Sequence, residues 1–169
     1  MFTPDQQKVL NHLDKGNVHP FNPDSEAIFQ EMKRKIASTL GADIEVLHRG
    51  STSLGIAGQR EVDIYIPVQD SQMQEVVAKL QELFGIPPKS IYESERVKFL
   101  QDANGVRVEI MVVNRDHKSW IEGEAAFKYI ESHPEAKEEY EKLKIEASGL
   151  PYKEYQAKKV EFLNRILGL

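Results

Sequence analysis

The sequence predicts a mixed α/β (α+β) fold: a sheet of about four strands packed with helices, and a helical C-terminal third. Three observations carry that prediction. The run EVDIYIPV alternates with period two from Glu61 to Val68, the pattern of a strand with two unlike faces. RVKFLQ and VRVEIMVV flank an Asn104–Gly105 pair, a strong short-range hairpin signal. After Asn114 the chain becomes charged, with apolar residues returning at helical spacing.

In chain order, Phe2 to Leu13 predicts a short, weak helix, followed by a Gly/Asn/Pro-rich connection through Pro23; residues 1–22 are an N-terminal extension. Asn22 as N-cap and Pro23 in the first turn start a helix whose apolar stripe is Ile28, Met32, Ile36 and Leu40, ended by Gly41. IEVLH reads as a strand leading into a Gly-Ser-Thr turn and a flexible, uncharged loop. EVDIYIPV follows, with Glu61, Asp63 and Tyr65 on one face and Val62, Ile64 and Ile66 on the other. Ser71 caps the next helix, striped by Met73, Val76 or Val77, Leu80, and Leu83 or Phe84, before Gly85 and a Pro-Pro pair. The hairpin strands come next. Ser132 and Glu135 have capping-box spacing, and Ala136, Tyr140, Leu143 and Ala147 line one helix face. A last helix runs from Tyr152 or Lys153 to Leu167, with Val160, Leu163 and Leu167 among its apolar positions. The expectation is one domain over residues 1–169, with 115–169 as its helical part.

Bulk composition narrows the function classes. Lysine and arginine total 22 against 27 aspartates and glutamates, a formal charge of -5, so the global basic field of a nonspecific nucleic-acid binder is missing. The chain has no cysteine, which removes disulfides, thiolate nucleophiles and sulfur-ligated metals together. No stretch approaches the roughly 20 apolar residues of a membrane span, and the N-terminus lacks a signal-peptide core; cytoplasm is the expected location. Oligomeric state is left open, since an amphipathic helix buries its stripe equally well against another subunit.

The candidate chemistry is concentrated around residues 48–68. Gly50 lets backbone approach a ligand closely, and Ser51 and Thr52 offer N–H and hydroxyl donors, which suits phosphate; an ordinary turn has the same composition. Glu61 and Asp63 leave one strand on the same side, as two ligands of a Mg²⁺ ion would, or as parts of a solvated face. Glu109 sits in a largely apolar run and so needs a partner or a metal; Arg107 shares its face and is the simple ion-pair partner. Arg49 and Arg60 bracket the loop and would attract an anion, and Lys159 would reach a phosphate if the last helix packs beside the sheet. His48 reads as a site-lining or a structural histidine, His133 as part of a helix start, and Trp120 and Phe127 as core or interhelical contacts.

A Gly-Ser pair, a carboxylate pair on a following strand and a third carboxylate on a later strand resemble the catalytic core of the polymerase-beta-type nucleotidyltransferase superfamily. More closely, GSTSLGIAGQREVDI, RVKF, FKYIESHPEAKEEYEKLK and the Tyr155, Lys159, Phe162 pattern resemble the GrpB family, an uncharacterised branch of that superfamily sometimes fused to dephospho-CoA kinase. The likeness spans roughly residues 42–166. It implies a nucleotidyltransferase-like sheet, Gly50 and Ser51 on phosphates, and Asp63 on metal. The family's second aspartate falls at Tyr65, a poor Mg²⁺ ligand at neutral pH, so Glu61 is the implied substitute, with Glu109 third; Arg107 and Glu109 stand where relatives often carry histidines. The implied reaction is Mg²⁺-dependent transfer of a nucleotidyl group from a nucleoside triphosphate to an unidentified acceptor hydroxyl. The alternatives are an inactive nucleotide- or phosphometabolite-binding protein, or a protein partner of a CoA-pathway enzyme.

Overall fold

The computed structural model describes residues 17–169; the helix expected between Phe2 and Leu13 lies outside them. The chain runs as α1 (Ser25–Leu40), β1 (Leu47–Arg49), a single-turn helix α2 (Gly50–Ser53), β2 (Glu61–Val68), α3 (Asp70–Phe84), β3 (Ser90–Tyr92), β4 (Arg96–Ala103), β5 (Val106–Asn114), α4 (Lys118–Ser132), α5 (Pro134–Glu146) and α6 (Tyr152–Leu167). Five strands form one mixed sheet in the order β1-β2-β5-β4-β3, one strand more than the sequence indicates. The addition is β3, an edge strand of three residues, too short to leave a periodic signal.

Strand β4 turns back into β5 as an antiparallel hairpin. Asn104 and Gly105 both adopt positive φ, 55° and 81°, as a two-residue turn matched to strand twist requires. β5 lies parallel to β2, with Asp63 opposite Glu109 and Glu61 opposite Arg107. β1 lies antiparallel on the other side of β2, with Arg49 opposite Asp63. It starts at Leu47, so Ile44, Glu45 and Val46 of the expected strand are a lead-in.

The alternation read from β2 holds. Val62, Ile64 and Ile66 are fully buried with Val108, Ile110, Val112 and Phe99 against Phe29, Met32 and Ile36 of α1 and Met73, Val76 and Leu80 of α3. Each such side chain contributes about 1.5–3 kcal/mol by burial. A one-residue slip of β2 would exchange Glu61, Asp63 and Tyr65 into that core, so packing on one face fixes the chemistry of the other. Helices α4, α5 and α6 cover the second face. They are fastened by a smaller cluster in which Leu54 and Ile56 meet Ile130, Tyr140 and Phe162.

Three caps differ from expectation. Asp24, not Asn22, is the N-cap of α1; Asn22 accepts from the Asp24 amide and the Ser25 hydroxyl in the turn before it. Gln69, not Ser71, caps α3 and forms a reciprocal capping box with Gln72. Helix α4 continues through Ser132, whose hydroxyl donates back to the Lys128 and Tyr129 carbonyls. That back-bonding withdraws Ser132 from a box with Glu135, and α5 instead starts behind His133 with Pro134 in its first turn. In α6 the deepest side chains are Tyr155 and Phe162 rather than Leu163 and Leu167. No helix among the described residues is long and apolar enough to cross a membrane.

Candidate active site

Between the polar face of the sheet and the C-terminal helices lies a cleft of about 470 Å³. β2 projects Glu61, Asp63 and Tyr65 into it, and β5 adds Glu109. One carboxylate oxygen from each of Glu61, Asp63 and Glu109 lies within 4.8 Å of the others, a consequence of parallel pairing that sets Asp63 beside Glu109. Two unit charges at that spacing repel by about 3 kcal/mol at an effective dielectric of roughly 20. The trio therefore demands a cation or a proton.

Two side chains meet part of that demand. Lys98 Nζ donates to Glu109 at 2.9 Å, and Arg107 donates to Glu109 at 2.7 Å. The same guanidinium reaches Glu61 at 2.8 Å, so the ion pair expected for Arg107 bridges two glutamates. Asp63 has no hydrogen bond and no ion pair among the described residues. Burial, then the charges of Glu61 and Glu109, hold its carboxyl well above the usual aspartate range. Burial and Glu109 also push Glu61 up.

Gly50 supports this corner. Its φ is +74°, and a Cβ there would stand 2.1 Å from Asp63 Oδ2. The Asp63 carboxylate packs directly on the backbone that starts α2, which a residue with a side chain would prevent. Tyr65 stays a neutral phenol, since burial and Asp63 drive it above its ordinary value; its ring lies 5.4 Å from that of Trp120. Lys159, with Tyr152 and Gln156 on the same face of α6, borders the cleft. Burial pulls Lys159 down, but Tyr140, Tyr155, Tyr152 and Glu61 outweigh it and leave the ammonium charged.

The structure thus brings Gly50, Glu61, Asp63, Glu109 and Lys159 together around one cleft. Thr52, Ser51 and Arg60 do not join them. The Thr52 hydroxyl is buried, donating to the Glu61 carbonyl and paired with His48 Nε2 at 3.0 Å. Arg60 is exposed in the left-handed region, with φ 63°, and does not border the cleft. His48 is structural: its other nitrogen meets Glu26 at 3.1 Å and its ring stacks on Phe29. Arg49 is committed to Glu124 through two bonds of 2.8 and 2.7 Å, lying over the Phe127 ring.

Ser51 leads to the residue that sequence reasoning missed. Its Oγ accepts from Lys144 Nζ at 2.6 Å. Lys144 is fully buried on α5, also donates to the Ala57 carbonyl, and lies 4.7 Å from the Tyr140 ring centre. Glu141 accepts from the Ala57 amide at 2.8 Å. One turn of α5 therefore clamps both polar groups of Ala57, and the loop expected to be flexible is pinned. The available signal was a lysine four residues after Tyr140, on the buried side of α5.

Burial, then the Lys159 ammonium, pulls the Lys144 pKa down to about 7. A lysine depressed only in the fold adds stability that is complete above the ordinary value of 10.5 and is lost as pH falls through about 7. In thermal melts the wild type should gain on Lys144→Met as pH rises across that window. Parallel curves would contradict the assignment.

Comparison with known proteins places the chain in a family. The sequence profile described as GrpB protein matches residues 16–168. A UPF0157 protein of Vibrio cholerae serotype O1 is 28% identical over 146 residues, covering 85% of this chain and 76% of that protein. A solved structure described as a cytoplasmic RNA terminal U-transferase overlaps 78% of this chain at 13% identity with a TM-score of 0.45, and this chain spans 40% of its length. A likeness that distant carries nothing about activity.

Proposed function

The chain belongs to the GrpB family, and from that premise we propose that it is a Mg²⁺-dependent nucleotidyltransferase acting from a nucleoside triphosphate onto an acceptor hydroxyl. The observation that supports this reading best is the carboxylate trio, with ligand oxygens within 4.8 Å of one another and Asp63 left without a partner among the described residues. Hard oxygen ligands of net negative charge are the donor set that Mg²⁺ takes. Glu61, Asp63 and Glu109 would hold the cation. Bound there, it would supply charge neutralisation and orientation at the α-phosphate of the nucleotidyl group being transferred.

The protein's own groups do the rest. Gly50 leaves the approach to Asp63 free of a side chain, and Lys98 and Lys159 supply positive charge along the cleft for the remaining phosphate oxygens. The acceptor oxygen forms its bond to the α-phosphorus as the bond to pyrophosphate breaks, and the acceptor proton leaves to solvent. Calorimetric titration with ATP, GTP, CTP and UTP, in Mg²⁺ and then in EDTA, tests the proposal. At least one should bind in Mg²⁺ and lose most of its affinity in EDTA, and Asp63→Ala and Glu109→Ala should each abolish the metal-dependent part.

A second reading, a nucleotide- or phosphometabolite-binding protein without turnover, is favoured by one feature: Arg107 and Lys98 already neutralise Glu61 and Glu109. It predicts binding that persists in EDTA and survives both substitutions.

A further inference from the structure

The end of the cleft beyond the carboxylates has a different chemistry. Tyr65 from β2 and Trp120 from the first turn of α4 meet there with ring centres 5.4 Å apart and planes tilted by 31°. Both rings border the cleft, and neither the phenol hydroxyl nor the indole N–H has a hydrogen-bond partner among the described residues. Arg96, lying over the Tyr92 ring at 4.9 Å, borders the same cleft. Tyr65 follows Asp63 by two residues on a strand, a separation of about 7 Å. That leaves room for one sugar between a phosphate held beside Asp63 and a flat ring held beside Tyr65.

We propose that Trp120 and Tyr65 form the nucleobase subsite of this cleft, so that the ligand is a whole nucleotide rather than a phosphorylated metabolite without a base. The inference rests on the nucleotide reading above and adds to it where the base sits. Tilted aromatic rings with open edges accept a further π-system by offset stacking. The free hydroxyl and indole N–H would donate to ring nitrogens or carbonyls at its edge. A bare phosphate ester would leave both donors without a partner, so the subsite distinguishes ligands with a base from those without one. Tyr65 thereby acquires a role of its own: at the position where the resemblance expects a carboxylate, the chain carries part of a stacking surface.

The protein has a single tryptophan, so its intrinsic fluorescence reports on Trp120 alone. In Mg²⁺, with excitation at the red edge of tryptophan absorption, at least one of ATP, GTP, CTP and UTP should quench it saturably, whereas inorganic tripolyphosphate should bind by calorimetry with little quenching. Trp120→Leu should weaken nucleotide binding by about tenfold and leave tripolyphosphate affinity unchanged, while Trp120→Phe should stay within about threefold of wild type. Nucleotide binding without quenching, or equal losses for nucleotide and tripolyphosphate in Trp120→Leu, would overturn the subsite and leave the nucleotide reading standing. Failure of both ligands to bind wild-type protein would overturn the nucleotide reading and the subsite with it.

Discussion

Replacing Asp63 by Asn is expected to abolish metal-dependent nucleotide binding and, in the same protein without metal, to raise the melting temperature. The two effects have one cause. Asp63 is held without a partner against two other carboxylates, and burial and their charges push its pKa well up. A carboxyl raised in the fold contributes stability that is complete below its unfolded value and is lost as pH climbs through the raised one. At neutral pH, where the unfolded carboxyl is ionised and the folded one is held against ionisation, Asp63 therefore costs the metal-free fold stability. Asn keeps the shape and removes the titrating group, so thermal melts of Asp63→Asn should lie a few degrees above wild type at neutral pH. The difference should shrink in acid, where the carboxyl of the unfolded chain protonates as well. Loss of nucleotide affinity in Mg²⁺ should exceed the roughly 10- to 100-fold typical of losing an outer-shell partner. If Asp63→Asn melted below wild type at neutral pH, the carboxylate would be a structural group, and its assignment to a cation would lose its support.

Gly50→Ala should be the most damaging single-methyl change in the site. The new Cβ would stand 2.1 Å from Asp63 Oδ2, at a backbone φ of +74°. Left-handed backbone costs a non-glycine residue about 1–2 kcal/mol, and overpacking adds typically 1–3 kcal/mol. Together these lower stability by roughly 3 kcal/mol, or about 6–12 °C for a chain of this size. Asp63 must also move, so metal-dependent binding should fall even at temperatures where the variant is folded. Thermal melts and calorimetry on one preparation measure both. The contrast with Asp63→Asn is informative, because both variants lose the site while their stabilities move in opposite directions.

Much of this arrangement was legible in the residues. Period-two alternation from Glu61 to Val68 fixed which face would carry the acids, because Val62, Ile64 and Ile66 had to be buried together. Asn104–Gly105 fixed the hairpin that brings Lys98 across from β5. Glu109, a charge in an apolar run, announced a need for partners and has Lys98 and Arg107. What escaped depends on contacts distant in sequence. Ser51 and Lys144 are 93 residues apart, and Arg49 and Glu124 are 75 apart; no local pattern links either pair. Thr52 faces His48 rather than the cleft because α2 turns its side chain inward, a direction that residue type does not encode. The caps at Asp24 and Gln69 depended on where each helix begins, the least legible feature of a periodic segment.

In the proposed site Glu61, Asp63 and Glu109 together hold a divalent cation beside the nucleotide. Electron paramagnetic resonance of Mn²⁺, titrated into the protein with a saturating nucleoside triphosphate, measures this directly when wild type, Asp63→Asn and nucleotide without protein are compared. Wild type should give a protein-bound Mn²⁺ signal that differs from that of the Mn²⁺–nucleotide complex and is lost in Asp63→Asn. A wild-type spectrum identical to that of Mn²⁺ with nucleotide alone, or a bound signal unchanged in Asp63→Asn, would rule out a cation held by these carboxylates.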